Sequence, residues 1–250
     1  MRYAPLDWLT ARPFAHRGLH DAARNIIENT ASAAIAAIAA GYGIEADLQV
    51  SADGEAMVHH DDVLGRLTEG TGALRAMTAA ALARVPFKAS GDHMMRLGDL
   101  LDLVAGRTAV LLELKSRFDG DLRLAERAAA VLGGYAGPAG VMSFDPAPIA
   151  ALRSVAPQLV RGIVIERSYH HPHWDFLGRS QKRALAFLLH GATTRPAFLA
   201  CRVDDLASYA PRTARRLFGL PLLAWTVRSE RDRAMAARYA DQIIFEGFLP

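Results

Sequence analysis

The stretch Thr108-Ala109-Val110-Leu111-Leu112-Glu113-Leu114-Lys115 is a run of apolar residues that acquires charge only at its carboxyl end. A strand covered on one face alternates apolar with polar. A strand covered on both faces, as in a parallel sheet wrapped by helices, reads as a near-continuous apolar run. Similar β-rich runs occur at 13–17, 43–50, 56–60, 140–144, 159–165, 197–203, 222–227 and 242–246. Between them lie Ala-, Leu- and Arg-rich stretches that predict helices over 29–40, 97–105, 121–132, 148–155, 180–188, 211–218 and 229–239. Asn29 or Thr30 is placed to cap the first of these, and Ser229 the last, with Glu230 in its first turn. Strand–helix alternation with short connections implies right-handed βαβ units and a parallel sheet. About eight such units over this length favour a closed TIM (β/α)8 barrel over an open doubly wound sheet. The open sheet usually offers a glycine-rich phosphate turn after its first strand, whereas Gly18 stands alone. One stretch, 51–96, interrupts the rhythm with turns and a short strand, and is read as an insertion after the second strand of a single domain spanning 1–250.

Composition fits this reading. Of 250 residues, 51% are hydrophobic and 22% charged, the balance of a folded globule. Lys and Arg number 29 against 26 Asp and Glu, a net charge of +3, and no basic tail of the kind that binds nucleic acid is present. The single cysteine, Cys201, excludes an intrachain disulfide and cysteine-rich zinc modules. Residues 1–13 carry Arg2, Pro5, Asp7 and Arg12 without an apolar run, and the most apolar segment, 31–44, is short and carries Gly41 and Gly43. The expectation is a soluble, cytoplasmic protein without stable membrane insertion; its oligomeric state is not legible.

In a TIM barrel the active site lies at the carboxyl ends of the strands, and that is where charge collects here. The first strand ends in His16-Arg17-Gly18, a proton-transfer group beside a bidentate anion clamp. In the second, Gly43-Ile44-Glu45-Ala46-Asp47-Leu48, period-2 alternation puts Glu45 and Asp47 on one face and the apolar residues on the other. Two inward-facing carboxylates are costly without a cation. Glu113 and Lys115 share a face at the end of their strand, either as a buried ion pair or as the completion of a three-carboxylate site. All-oxygen ligation points to a hard divalent cation, Mg²⁺ or Ca²⁺, with Mn²⁺ also compatible, leaving positions for water and a substrate phosphate that Lys115 would contact. In Val58-His59-His60-Asp61 adjacent side chains point opposite ways, so one of the two imidazoles can face such a site, and spacing does not say which.

Together these pieces resemble the glycerophosphodiester phosphodiesterase family. The resemblance rests on His16-Arg17-Gly18 followed by Glu28-Asn29-Thr30, on Glu45-Ala46-Asp47, on Asp53-Gly54, His60-Asp61, Leu64-Gly65-Arg66 and Thr68, on Glu113-Leu114-Lys115, and on Ser143-Phe144 and Trp225-Thr226-Val227. It spans most of the chain and is densest over 14–68. It implies a metal-dependent hydrolase that cleaves glycerophosphodiesters to an alcohol and sn-glycerol 3-phosphate. Carried over by position, it implies that Glu45, Asp47 and Glu113 hold the metal, that His16 and His60 serve as general acid and base, that Arg17 and Lys115 bind phosphate, and that Trp225 packs on the substrate's glycerol part. Two departures stand out: the last strand closes with Phe245-Glu246-Gly247-Phe248 where the family has a Thr-Asp- or Thr-Asn-x-Pro pattern, and Arg228 stands where Asn often follows Trp-Thr-Val. Both are expected at the mouth, where they bear on the alcohol accepted more than on the metal chemistry. The run Tyr169-His170-His171-Pro172-His173-Trp174 lacks the regular spacing of a zinc site and reads as a loop lining the same mouth. Residues 174–183, with Trp174, Phe176, Arg179, Lys182 and Arg183, read as a barrel helix with a basic outer face more than as a membrane-surface helix. The competing functions are a lysophospholipase D, with an acyl chain near Trp174 and Phe176, and an inactive barrel that only binds phosphodiesters.

Overall fold

The computed structural model describes residues 6–250. The described chain begins with α1 (Asp7–Ala11), β1 (Phe14–Ala15), α2 (Ala31–Ala39) and β2 (Gly43–Val50). Next come β3 (Ala56–Val58), β4 (Val63–Leu64), β5 (Gly72–Ala73) and α3 (Ala79–Leu82). Strict alternation then resumes with α4 (Leu97–Val104), β6 (Val110–Leu114), α5 (Arg123–Leu132), β7 (Ala139–Ser143), α6 (Pro146–Val155) and β8 (Val160–Ile165). It closes through α7 (Arg179–Ala186), α8 (Gly191–Thr194), β9 (Phe198–Arg202), α9 (Tyr209–Phe218), β10 (Leu222–Val227), α10 (Glu230–Tyr239) and β11 (Gln242–Phe245). β1 pairs in parallel with both β2 and β11, closing an eight-stranded ring in the order β1-β2-β6-β7-β8-β9-β10-β11. This is the TIM barrel expected from the alternation.

The expected strands and helices are present, mostly with ends shifted by a residue or two; the helix expected from Trp174 starts only at Arg179, because Pro172–Trp174 form a separate 3-10 turn. Helix ends moved where caps decide them. Asp145 accepts from the Ala147 N–H at 2.9 Å and Pro146 takes the first helical position, so α6 starts two residues earlier than periodicity suggests. Of the two cap candidates for α2, Thr30 serves: its hydroxyl accepts from the Ala33 N–H at 3.4 Å. Ser229 caps α10 by accepting from the Asp232 N–H at 3.2 Å.

Period-2 alternation sorts the strand side chains into two cores. Ile44, Ala46 and Leu48 of β2, and Val110, Leu112 and Leu114 of β6, face outward against helical residues such as Leu100, Leu101 and Val104. The lumen is filled by Phe14, Leu111, Met142, Val160, Val164, Phe198, Ala200, Leu223 and Ile244, with Leu9 of α1 joining them ahead of β1. Each fully buried aliphatic or aromatic chain contributes about 1.5–3 kcal/mol. The lumen is tight enough that a Cβ on Gly162 would lie 2.3 Å from the Phe198 ring.

Residues 51–96 add to this frame where β1 has ended. β3 pairs antiparallel with the carboxyl half of β2, Leu48 to Val50, and β4 and β5 form a separate two-stranded ribbon. The segment carries its own apolar cluster, in which Met57, Leu64, Leu74, Leu82, Phe87 and Met94 pack with Ile27. Among the described residues no helix is long and apolar enough to cross a membrane.

Candidate active site

The carboxyl end of β1 turns sharply. Arg17 has φ 57° and Gly18 φ 77°, both left-handed, and a Cβ on Gly18 would approach Ala33 to 2.8 Å, so only glycine allows α2 this close. The turn is tied to β2: the Arg17 N–H donates to Glu45 Oε2 at 3.0 Å and the Gly18 N–H to the Glu45 carbonyl at 3.1 Å.

Glu45, Asp47 and Glu113 point into the mouth of the lumen; Glu45 is level with Leu111 of the apolar layer, and Asp47 and Glu113 lie two residues further along their strands. Each offers an oxygen within 4.8 Å of the others, and Asp47 and Glu113 are direct register partners across β2 and β6. Asp47 is the best braced. Asn29 Nδ2 donates to its Oδ2 at 2.9 Å while its own N–H donates back to Asn29 Oδ1 at 3.1 Å. Arg17 Nε lies 3.1 Å from the same carboxylate, and Lys115 Nζ lies 2.8 Å from Asp47 Oδ1 and 2.8 Å from Glu113 Oε1. The Glu113–Lys115 ion pair therefore exists, and it exists inside the three-acid cluster. Burial opposes ionisation of Asp47, yet Lys115 and Arg17 hold its carboxyl below the usual range; burial likewise opposes the Lys115 charge, and the two acids more than restore it.

Glu45 has no such counterion. It is 1% exposed, takes one backbone N–H, and has His16 Nε2 at 3.9 Å. Burial first, then the charges of Asp47 and Glu113, push its carboxyl well above the usual range. Three buried acids face two cationic side chains, so Glu45 is favoured as its ionised form only where a further positive charge is supplied. That deficit, and a donor set made wholly of oxygens, fit a hard divalent cation.

Both imidazoles named from the sequence reach this mouth. His16 Nδ1 lies 2.6 Å from Glu246 Oε2; burial lowers its pKa, the Glu246 bond raises it, and the net shift is downward. His60 Nδ1 bonds Asp61 Oδ1 at 2.8 Å, and Gln49 Nε2 donates to the His60 carbonyl at 2.8 Å. Arg66 grips Asp61 through Nε at 2.6 Å and Glu28 through Nη2 at 2.7 Å, while Arg17 Nη1 donates to Glu28 at 2.8 Å. His59 points the other way, buried, its ring 6.3 Å from Phe87. A cleft of about 520 Å³ joins His16, Arg17, His60, Glu113 and Lys115.

The opposite wall of that cleft is aromatic. Trp225 meets Phe144 edge-on at 5.4 Å, Phe144 meets Trp174 at 5.0 Å, and Phe118 bridges Trp174 at 6.0 Å and Phe176 at 5.8 Å. Trp225 is fixed by its Nε1 donating to the Ala200 carbonyl at 3.0 Å. The loop after β8 does reach the mouth, since His173 and Trp174 line the cleft. Tyr169 is buried behind Trp174 at 5.1 Å, and the His171 ring lies tilted against His173 at 4.3 Å. α7 buries only Leu185 and leaves Arg179 and Arg183 outward.

Three parts of the site were not given a role from the sequence. Asn29 appeared as a cap candidate and a pattern residue, yet its side chain braces Asp47. Glu28 and Arg66 appeared as pattern residues, yet they join the two halves of the basic network. Glu246, noticed only as a departure, contacts His16 and accepts from Arg228 Nη2 at 3.1 Å.

A TIM barrel presenting clustered carboxylates, two imidazoles and two cations at the carboxyl ends of its strands has the equipment of a phosphodiester hydrolase. The match to the glycerophosphoryl diester phosphodiesterase family covers residues 16–247, and the chain belongs to that family; it is an enzyme of the phosphodiesterase class. A glycerophosphodiester phosphodiesterase from Caldanaerobacter subterraneus subsp. tengcongensis is 25% identical over 228 residues, covering 87% of this chain and 86% of that protein. Among solved structures, a putative glycerophosphoryl diester phosphodiesterase from Silicibacter pomeroyi superposes with a TM-score of 0.74 at 24% identity, covering 94% of this chain and 89% of the other. A phosphodiesterase from Oleispira antarctica in complex with the product sn-glycerol-3-phosphate superposes with a TM-score of 0.75 at 20% identity, covering 95% and 94%.

Proposed function

We propose that this enzyme hydrolyses glycerophosphodiesters to an alcohol and sn-glycerol 3-phosphate, with His16 and His60 moving the protons. In this reading Glu45, Asp47 and Glu113 hold one divalent cation, Mg²⁺ or Ca²⁺ with Mn²⁺ also compatible. The observation that carries the reading is the buried Glu45 carboxylate, short of a counterion, inside an all-oxygen cluster. The product named for the Oleispira antarctica neighbour supplies the substrate class. A cation held by these three acids would supply positive charge against the negative charge that builds during phosphodiester cleavage.

The remaining work falls to the chain's own side chains. Arg17 and Lys115 are held within 3.1 Å of Asp47, and both line the cleft, so their charge faces an incoming phosphate from fixed positions. The attacking O–H loses a proton and the leaving alkoxide gains one; an imidazole on either side of the cleft serves each transfer. Trp225, fixed by its indole N–H, offers a flat face for the glycerol carbons. The test is release of sn-glycerol 3-phosphate from glycerophosphocholine, with Mg²⁺, Ca²⁺ and Mn²⁺ in parallel. His16→Ala and His60→Ala are each expected to lower kcat by about 10²–10⁴-fold. Full turnover in His60→Ala overturns the assignment.

The aromatic wall favours one alternative substrate. Phe176 is 58% exposed beside Trp174 and Phe118, an apolar surface suited to the acyl chain of a lysophospholipid. Choline release from lysophosphatidylcholine with none from glycerophosphocholine would select that substrate for the same chemistry. Phosphodiester binding without turnover in any of the cations would leave a binding barrel.

A further inference from the structure

The two departures from the family pattern meet in space, and they meet at His16. Glu246 follows β11, and its N–H donates to the Val227 carbonyl at 3.0 Å, which ties it to the end of β10. Arg228 sits one residue beyond β10, anchored by its own N–H donating to Asp232 Oδ2 at 3.0 Å. From there its guanidinium reaches Glu246 at two points, Nη2 to Oε2 at 3.1 Å and Nε to Oε1 at 3.4 Å. The gripped oxygen, Oε2, is the one that lies 2.6 Å from His16 Nδ1.

We propose that Glu246 is a positioning residue for His16, with Arg228 clamping it: the carboxylate accepts from Nδ1–H, which fixes the ring's angle and leaves Nε2 as the working nitrogen. The proposal rests on the reading of His16 as a proton-transfer group. An ionised carboxylate can only accept, so Nδ1 must carry the proton and the neutral ring keeps its lone pair at Nε2. Nε2 is the nitrogen that faces the acid cluster, 3.9 Å from Glu45 Oε2. The His16 bond and Arg228 together draw the Glu246 carboxyl down to about 2, in keeping with an acceptor-only role.

The second histidine is built the same way. His60 Nδ1 meets Asp61 at 2.8 Å, and Arg66 grips the far oxygen of Asp61 at 2.6 Å. Each imidazole thus has a carboxylate on Nδ1 backed by an arginine. For His60 the carboxylate is the next residue; for His16 it comes from the opposite end of the chain, 230 residues away.

The test is a set of kinetic cycles with glycerophosphocholine. Glu246→Ala is expected to lower kcat by about 10–100-fold and Glu246→Gln by less, because the amide oxygen still accepts from Nδ1–H. KM should stay within about twofold in both, since neither substitution touches the substrate. Arg228→Met is expected to lower kcat a few-fold in the parent and to add nothing in the Glu246→Ala background. The deciding arm places Glu246→Ala in His16→Ala, where the residual rate should not change further. An equal loss in both backgrounds means that Glu246 supports the barrel mouth and not His16, and overturns the proposal. Unchanged kcat in Glu246→Ala, with His16→Ala inactive, overturns it while leaving the role of His16 intact. Undiminished kcat in His16→Ala removes the reading beneath it. Thermal unfolding of each variant identifies any loss caused by misfolding, and Glu246→Gln, which keeps size and hydrogen bond, carries the test if Glu246→Ala does not fold.

Discussion

Leu111 and Glu113 lie two residues apart on the same strand, on the same face, both turned into the barrel. Leu111 belongs to the apolar lumen with Phe14, Phe198 and Leu223; Glu113 joins Glu45 and Asp47 at the mouth. The two layers are built by one rule, alternation along a parallel strand, and their energetics are opposite. Side chains in the lower layer release water and fill space. The upper layer withdraws charge from water and balances it only in part, with Arg17 and Lys115 pairing with Asp47 and Glu113 but not with Glu45. The lower layer holds the fold together, and the upper layer is tolerated because the lower one is tight.

That contrast is easiest to break with substitutions that separate stability from turnover. The largest effect is expected in the lumen: Phe198→Ala should cost about 3–5 kcal/mol of unfolding free energy in a denaturant titration. Turnover per folded molecule should stay within about twofold of the parent. Glu45→Gln is the converse. It should lower kcat by about 10²–10³-fold, yet leave the unfolding midpoint of metal-free protein unchanged or higher, because it removes a buried carboxyl that no cationic side chain pairs with. A marked drop in that midpoint would show that Glu45 is already compensated. Gly18→Ala sits at the join of the two layers. Its left-handed φ of 77° and the 2.8 Å approach to Ala33 predict a loss of about 1–3 kcal/mol, together with reduced turnover as the His16–Arg17 turn shifts.

The smallest effect concerns a titratable group on the outside of the barrel. His190 borders an apolar cavity formed with Leu188, Leu199, Ala214 and Phe218, and burial lowers its pKa from 6.5 to about 4. The unfolded chain therefore takes up the proton first as pH falls. The stabilising contribution is complete above pH 6.5 and is lost on acidification towards pH 4. The slope from this group is at most about 1.4 kcal/mol per pH unit. His190→Leu should flatten that segment of a stability–pH curve; an unaltered slope would show that the imidazole is solvated in the folded state.

What could be read from the sequence followed the same division. Alternation alone put Glu45 with Asp47 and Glu113 with Lys115, because a strand's period constrains its side chains wherever the strand sits. The barrel was legible because its strands were apolar enough to need cover on both faces. Periodicity showed that His59 and His60 diverge but not which one faces inward; the resemblance pointed to His60, and the fold buries His59 against Phe87. The bracing partners escaped notice for a plain reason. Asn29 reaches Asp47 from a loop before α2, and Arg66 reaches Glu28 across 38 residues. Glu246 reaches His16 from the far end of the chain, and contacts of that kind leave no local pattern. The departures at Arg228 and Glu246 were visible as sequence and expected to bear on alcohol choice; that Glu246 contacts His16 and Arg228 contacts Glu246 was not visible.

The central claim is that the three acids at the mouth hold a cation without which the phosphodiester is not cleaved. It is tested most directly by titrating Mg²⁺, Ca²⁺ and Mn²⁺ calorimetrically into chelator-stripped protein while following sn-glycerol 3-phosphate release from glycerophosphocholine. The parent should bind one ion and recover turnover in step with occupancy, and Glu45→Gln should lose both while remaining folded. Turnover that persists in excess EDTA, or ion binding unaltered by Glu45→Gln, would contradict the account.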